Sequence, residues 1–392
     1  MTNQFHVAKN SKQVKAYATD GVDVEEEALF SAFAGGVCKA SYQNSPFIDV
    51  HDFSGGGFRG PRPFSFKNLP EGYFIEASTD GIGTKGILHD AAHTHHLAAY
   101  DIIAMTASDI TRFGGLPLVF INVFDTVSIG EKGDEVSETY KSAIAGLGEV
   151  AKKEKIVLLK GETAQMGDAI GSEIKDSKTK LNWSGTMIGA YHKDKMITGE
   201  TLAPGQAIVA LKENGFRCNG ISSIRKALQM KFGKEWFKNP EAKESIQKCA
   251  TPSVLYDTYI NTLHGWFAKD FKPEVKIHAL VHLSGGALRE KLAKDLLLPR
   301  RLSAELTDLW EPPNIMRECA FWRNIHDEEF YEVWHGGQGM LLLVDEKDAD
   351  YCIKRAKDFG VEAKVAGKIS KTAEPQVVID SKLTPGKKII YK

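Results

Sequence analysis

The sequence predicts a two-domain α/β (α+β) protein in which strands and helices alternate in both halves. Three observations carry that expectation. A chain of 392 residues is long for one core and suits two. Short apolar runs of strand length alternate with segments of helical period along its length. Between residues 193 and 205 the chain turns polar and holds Gly199, Pro204 and Gly205. That places a boundary between an N-terminal domain, 1–195, and a C-terminal α/β domain, 196–392.

The elements follow in order. Residues 24–39 read as a helix, because Glu25, Glu26 and Glu27 lie near its start and Lys39 near its end, each favourable to the helix dipole. Ser54-Gly55-Gly56-Gly57-Phe58-Arg59-Gly60 is a loop. A short strand over 73–77 runs into Ser78-Thr79-Asp80-Gly81-Ile82-Gly83-Thr84-Lys85. Residues 97–113 are helical, with Ile102, Ile103, Met105, Ala107 and Ile110 apolar. Pro117 breaks the pattern, and a buried strand follows over 118–124. An amphipathic helix spans 136–153, then a strand over 156–159 that stops at Lys160-Gly161-Glu162-Thr163, then a strand over 183–190. In the second half, strands are expected over 206–211, 275–280, 338–344 and 361–369, and helices over 222–230 and 252–268. No internal repeat or low-complexity segment is present.

Composition narrows the function. Fifty Lys and Arg balance 51 Asp and Glu, so the net charge is -1 and favours neither nucleic acid nor a membrane surface as partner. A local basic pocket for a phosphorylated small molecule is compatible with that balance. Residues 1–10 are polar, without the apolar stretch of a signal peptide, and no apolar run has the length of a bilayer span. Cys38, Cys218, Cys249, Cys319 and Cys352 are scattered and lack C-x-x-C spacing, which argues against a zinc site or a disulfide framework. A reducing cytoplasm is the expected compartment.

Asp80, Asp109 and Glu162 each fall at an expected strand or helix end, beside glycine or small residues. Mg²⁺ takes a few carboxylates plus phosphate oxygens and waters, so carboxylates brought from separate segments to one cleft are what it requires. The plain alternatives are a turn cap at Asp80 and a solvent-facing helix position at Asp109. In the segment 80–85, Gly81 and Gly83 let the backbone approach an anion, and Thr84 and Lys85 add a hydroxyl and a charge. The P-loop spacing is absent. Gly55, Gly56 and Gly57 offer a second set of backbone N–H groups, or else a surface loop. Residues 214–220 (NGFRCNG) lie between a strand and a helix, where α/β sheets bind ligands. There the Arg217 fork suits phosphate, and Asn219 suits a ligand or metal; the plain reading is a connecting loop. Cys218 reads as packing, since no histidine is near in sequence to activate it. His89, His93, His95 and His96 cluster; on a helix three of them share a face, although such histidines more often face solvent.

Taken together, these segments resemble the aminoimidazole ribonucleotide synthetase family (phosphoribosylformylglycinamidine cyclo-ligase). Residues 17–23 (YATDGVD) look like the family's Y-x-x-x-G-V-D, and 78–85 (STDGIGTK) like T-D-G-V-G-T-K. Residues 101–114 (DIIAMTASDITRFG) resemble D-L-V-A-M-x-x-N-D, and 161–166 (GETAQM) resemble G-E-T-A-E-M. Residues 217–226 resemble H-S-N-G-x-S-L-x-R-K, 278–286 (HALVHLSGG) resemble H-x-x-x-H-x-T-G-G-G, and 329–340 resemble E-M-Y-R-T-F-N-x-G-x-G-M. The matches run in order along most of the chain.

The resemblance implies an enzyme. ATP activates the amide oxygen of formylglycinamidine ribonucleotide, an internal nitrogen closes the imidazole ring, and ADP, phosphate and aminoimidazole ribonucleotide leave. It implies Mg²⁺ and phosphates at Asp80, Asp109 and Glu162, and ATP at Lys85, Thr84 and the glycines 55–57, 81 and 83. It places Arg217, Asn219 and the substrate-facing turn Ser284-Gly285-Gly286 at a cleft between domains. It also implies a homodimer whose N-terminal sheets join into a barrel. The chain departs from the family pattern at Arg217 (histidine), Cys218 (serine), Ser108 (asparagine), Lys160 (glycine), Gly167 (proline) and His335 (asparagine), and at Asn122 and Asn182, which are often aspartate. Two alternatives compete: a same-fold ATP-dependent enzyme with another substrate, and a nucleotide-binding regulator without turnover. Retention of all three acidic positions argues against the regulator.

Overall fold

The computed structural model describes residues 24–55, 60–131 and 133–392. The motif at 17–23 and the loop residues Gly56 and Gly57 lie outside them. The first helix, α1 (Val24–Ser41), keeps its acidic residues in the first turn and Lys39 in the last. β1 (Ile48–Val50) and β2 (Phe64–Phe66) form a small antiparallel ribbon. β3 (Tyr73–Gly81) leads into α2 (Lys85–Ala92) and α3 (Ala98–Thr111). β4 (Leu116–Thr126), α4 (Glu135–Lys153) and β5 (Val157–Gln165) make a βαβ unit with parallel strands, and β6 (Leu181–His192) returns between β3 and β4. The sheet order is β3-β6-β4-β5. Asp134 starts α4 by accepting from the Ser137 N–H at 2.8 Å. Phe120, Phe124, Trp183 and Met187 bury one face of this sheet among apolar residues of α3 and α4, such as Ile102 and Leu147. On the other face Trp266 and Phe47 cover Leu118 and Val119, while Tyr73, Phe74 and Ile75 on edge strand β3, and Val123 on β4, stay exposed.

The C-terminal half contains β7 (Ala207–Lys212), α5 (Ile221–Phe232), α6 (Lys243–Cys249), α7 (Asp257–Leu263) and β8 (Ile277–His282), then a π-helix (Leu288–Leu297). β9 (Ser303–Leu306), α8 (Asn314–Arg323), α9 (Asp327–Val333), β10 (Gln338–Val344), α10 (Ala349–Ala356), β11 (Ala363–Ser370), β12 (Val377–Asp380) and β13 (Lys388–Tyr391) complete it. The sheet order is β13-β12-β9-β11-β7-β10-β8. β7, β8 and β10 are buried nearly throughout because apolar clusters pack on both faces, which is why β7 and β10 read as largely apolar runs. The architecture is mixed α/β in both halves. No helix among the described residues is long and apolar enough to cross a membrane.

Several elements differ from expectation. β3 does not end at residue 77: β6 pairs with every residue from Tyr73 to Gly81, so Asp80 lies in a strand opposite Gly185. β5 continues through Gly161 and Glu162 because β4 supplies a parallel partner as far as Gln165. Pro117 sits inside β4, where the register against β6 slips between Pro117 and Val119, and a proline is tolerated at such a bulge. The helix expected over 252–268 shrinks to Asp257–Leu263. The Ser253 and Val254 N–H groups bond to the Asp101 and Glu213 carboxylates, which holds that stretch out of a helix. β9, β12 and β13 were not expected.

Candidate active site at the junction of the two halves

Asp80 stands near the end of β3, and Asp109 in the last turn of α3. Asp80 is half-buried and accepts from the Gly81 N–H at 2.7 Å. Burial pushes its carboxyl up, and the Asp109 charge adds to that. Burial acts the same way on Asp109, but His282, Arg112 and Lys291 outweigh it and hold the Asp109 carboxyl below the usual range. His282 Nδ1 and Arg112 Nε approach Asp109 Oδ1 to 3.6 and 3.4 Å. Two carboxylates that repel each other at a junction suit a hard dication completed by phosphate and water oxygens. Asp80 and Asp109 therefore fit Mg²⁺.

Glu162 does not join them within one chain. Its row across the sheet runs Gly81, Ser184, Val123, Glu162. Three strand spacings separate the ends of that row, about 14 Å. The strand order is the cause. Among the described residues, no group of three or more His, Cys, Asp or Glu side chains is placed to hold a metal.

The ligand-facing glycines divide. Gly83 and Thr84 are exposed at the start of α2, and the Thr84 hydroxyl is not used as a cap. Gly81 is part of β3, opposite Ser184. Gly55 has a φ of 61° and nothing crowding it. Asn219 lies against the Ser284-Gly285-Gly286 turn: a Cβ added to Gly285 would meet Asn219 Oδ1 at 3.3 Å. Asn219 and this turn thus meet beside β8, the strand that carries His282 towards Asp109.

Two assignments are corrected. Lys85 does not face a nucleotide: its side chain is 0% exposed. Its Nζ donates to Asp101 Oδ1 at 2.7 Å, to the Thr251 carbonyl at 2.9 Å and to the Phe216 carbonyl. Arg217 does not reach out to phosphate either. It is buried, with Nη1 donating to Glu213 Oε2 at 2.9 Å and to the Val254 carbonyl at 3.2 Å, and Nη2 to the Ala104 carbonyl at 3.3 Å. Burial would lower its pKa, but Glu213 beside it raises it, so the guanidinium stays charged. Both residues lie too deep for ligand because their partners come from both halves of the chain.

Other histidines and departures also prove structural. His89 is wholly buried against Asp101 rather than solvent-facing or metal-binding. His335 Nε2 donates to the Gly215 carbonyl at 2.9 Å and Nδ1 accepts from the Gly337 N–H at 3.1 Å. Burial pushes its pKa down to about 3, so it is a neutral tie for the 214–220 turn. Cys218 carries a thiol pushed well up by burial, consistent with packing. His282 and Arg112 were not singled out from sequence. The available signal was the spacing of His278 and His282, four apart on a strand and therefore on one face.

Comparison with known proteins agrees with this architecture. Residues 66–191 match the model of the AIR synthase related protein N-terminal domain, and residues 203–380 match that of the C-terminal domain. The phosphoribosylformylglycinamidine cyclo-ligase of Prochlorococcus marinus strain MIT 9301 is 28% identical over 360 residues, covering 90% of this chain and 94% of that one. Its namesake from Methanocaldococcus jannaschii is 29% identical over 330 residues, covering 82% of each chain. The hydrogenase maturation protein HypE of E. coli superposes with a TM-score of 0.55 at 15% identity, over 93% of this chain and 96% of that one, which bears on the fold alone.

Proposed function

Because the chain belongs to the AIR synthase related family, we propose that it is an ATP-dependent cyclo-ligase of purine biosynthesis, converting formylglycinamidine ribonucleotide to aminoimidazole ribonucleotide. The reading is supported by Asp80 lying within reach of the Asp109 charge, by His282 of β8 approaching Asp109 to 3.6 Å, and by Asn219 lying against the turn that follows β8. ATP would donate its γ-phosphoryl group to the amide oxygen, the internal nitrogen would attack the activated carbon, and phosphate would leave as the ring closes. Asp80 and Asp109 would hold Mg²⁺, which supplies charge neutralisation for the phosphoryl group in flight. Gly83 and Thr84 would meet phosphate oxygens at the start of α2, with Gly55 to Gly57 as a second cover. The protein's contribution is positioning and electrostatics.

A homodimer belongs to the same proposal. Strand β3 is an edge, and its Tyr73, Phe74 and Ile75 are exposed, as an apolar edge awaiting a second sheet would be. Glu162, set apart from Asp80 and Asp109, lies on the opposite edge strand, and its part in the site is proposed only for that assembly. A cytoplasmic location fits the five free thiols. The test incubates the purified protein with ATP, Mg²⁺ and formylglycinamidine ribonucleotide. Formation of ADP and aminoimidazole ribonucleotide in equal amounts supports the reading. ADP release that needs a different acceptor would move the protein to another substrate.

A further inference from the structure

We infer that Lys85 and Arg217 form a reciprocal latch across the two halves, and that both are positioning residues for the junction site. The inference rests on the proposed function for what the site does, but the latch itself stands on geometry.

The two cations cross in opposite directions. Lys85 starts α2 in the N-terminal half, yet its ammonium ends on the Phe216 and Thr251 carbonyls of the C-terminal half. Arg217 belongs to the C-terminal half, yet its Nη2 ends on the Ala104 carbonyl of α3. Each cation has one buried carboxylate, Asp101 for Lys85 and Glu213 for Arg217. Asp101 also accepts from the Ser253 N–H at 3.0 Å and the Ser253 hydroxyl at 2.6 Å, and Glu213 from the Val254 N–H at 3.1 Å. Both pairs therefore grip one short stretch, the Lys85 pair at Thr251 and Ser253 and the Arg217 pair at Val254, and they meet at the same turn, 213–217.

His89 completes the charge balance. Its Nε2 bonds to Asp101 Oδ2 at 2.8 Å and its Nδ1 to the Thr94 hydroxyl at 2.9 Å. Burial lowers its pKa, so Nε2 carries the proton and donates, and Nδ1 accepts. Each pair is then one cation with one anion, and apart from Arg217 Nε, which has no partner, its polar atoms are met by hydrogen bonds.

The latch ends at both sides of the site. Lys85 directly follows the Asp80–Thr84 segment. Arg217 precedes Asn219, the residue that lies against Gly285. Releasing either cation frees the same turn, so the two losses should not multiply.

The test is a cycle of Lys85→Met, Arg217→Met and the double variant in the full-length protein. Two readouts are taken: kcat in the cyclo-ligase assay, and amide hydrogen exchange over residues 215–220. Each single variant should lose roughly 100-fold in kcat, the loss typical of a slightly misplaced site. The double variant should be no slower than the slower single. Exchange at the turn should quicken in both singles. A multiplicative loss in the double, or folded singles with lowered Tm but unchanged kcat and exchange, would overturn the latch. Exchange needs no substrate, so it judges the latch even if the wild type fails to close the ring. Where the Met variants do not fold, Lys85→Arg and Arg217→Lys keep the charge and change only its reach. Faster exchange at the turn in both supports the latch, and parent-like exchange in both overturns it.

Discussion

His282 Nδ1 lies 3.6 Å from Asp109 Oδ1, although one residue sits on β8 of the C-terminal half and the other on α3 of the N-terminal half. Burial, helped by the Arg217 charge, pushes the imidazole down to about 4, so it stays neutral at physiological pH. It therefore leaves the Asp109 charge uncancelled and available to a cation.

Asp109→Asn should abolish turnover and leave the fold intact. Losing one anionic ligand weakens neutralisation of the transferring phosphoryl group and raises the barrier by roughly several kcal/mol. Steady-state kinetics at ordinary Mg²⁺, with circular dichroism as the folding control, is the check. Parent rates would remove Asp109 from the site.

Arg217→Ala should destabilise the protein by about 3–5 kcal/mol, because it strands the Glu213 carboxylate without its cation in a buried setting. Urea unfolding measures this. A loss under about 1 kcal/mol, the value of an exposed pair, would mean that water reaches Glu213.

Asp257 sets a pH dependence. It is buried, its Oδ1 has no hydrogen-bond partner, and burial together with the nearby Glu154 charge raises its pKa to about 7. From roughly pH 4 to 7 the folded chain keeps a proton that the unfolded chain has released. Stability from this group is therefore full at acid pH and is lost as pH rises through 7. Asp257→Asn should reduce that slope and raise stability at pH 8 by up to a few kcal/mol. It should not abolish the slope, since burial raises Glu154 as well. Parallel stability curves for variant and parent between pH 5 and 8 would contradict the assignment.

Ala287 follows the Ser284–Gly286 turn with φ 38° and ψ -128°, a region that suits glycine. Strain there costs about 1–3 kcal/mol, whereas glycine's extra unfolded entropy costs about 0.5–1 kcal/mol. Ala287→Gly should thus stabilise by about 1 kcal/mol and raise Tm. A lower Tm would show that this residue is not strained in solution.

Phe74→Asp on exposed β3 should leave the subunit folded and dissociate the proposed dimer. Light scattering at micromolar concentration decides between the outcomes. A parent that is already monomeric removes the dimer from the proposal.

Much of the scaffold was legible in the sequence. The charge bias of α1 and the period of α4 reflect local preferences, and the apolar runs of β7 and β10 reflect burial on both faces. The glycine-rich stretches depart from their local preference for the opposite reason. Gly81 and Gly161 weaken a strand by themselves, yet the partner ladders from β6 and β4 carry the strands through them. The sequence also marked Asp80 and Asp109, which the fold brings within reach of each other's charge, and Asn219 with Ser284–Gly286, which meet beside β8. It did not reveal that Lys85 and Arg217 are buried, because their partners lie as far as 166 and 113 residues away. Nor did it show the separation of Glu162, which depends on strand order.

The grip on residues 251–254 has a consequence for how this chain can change over time. Exposed side chains away from these ion pairs can be exchanged at little cost. The length of the 251–254 stretch cannot be altered so freely. One residue added or removed would put Thr251, Ser253 and Val254 out of phase with both ion pairs at once. Insertions should be borne instead beside the exposed Gly55, where an added side chain would meet nothing within 4 Å. A library of single-residue insertions, scored for soluble expression, should show a sharp gap at 251–254 and tolerance around residue 55.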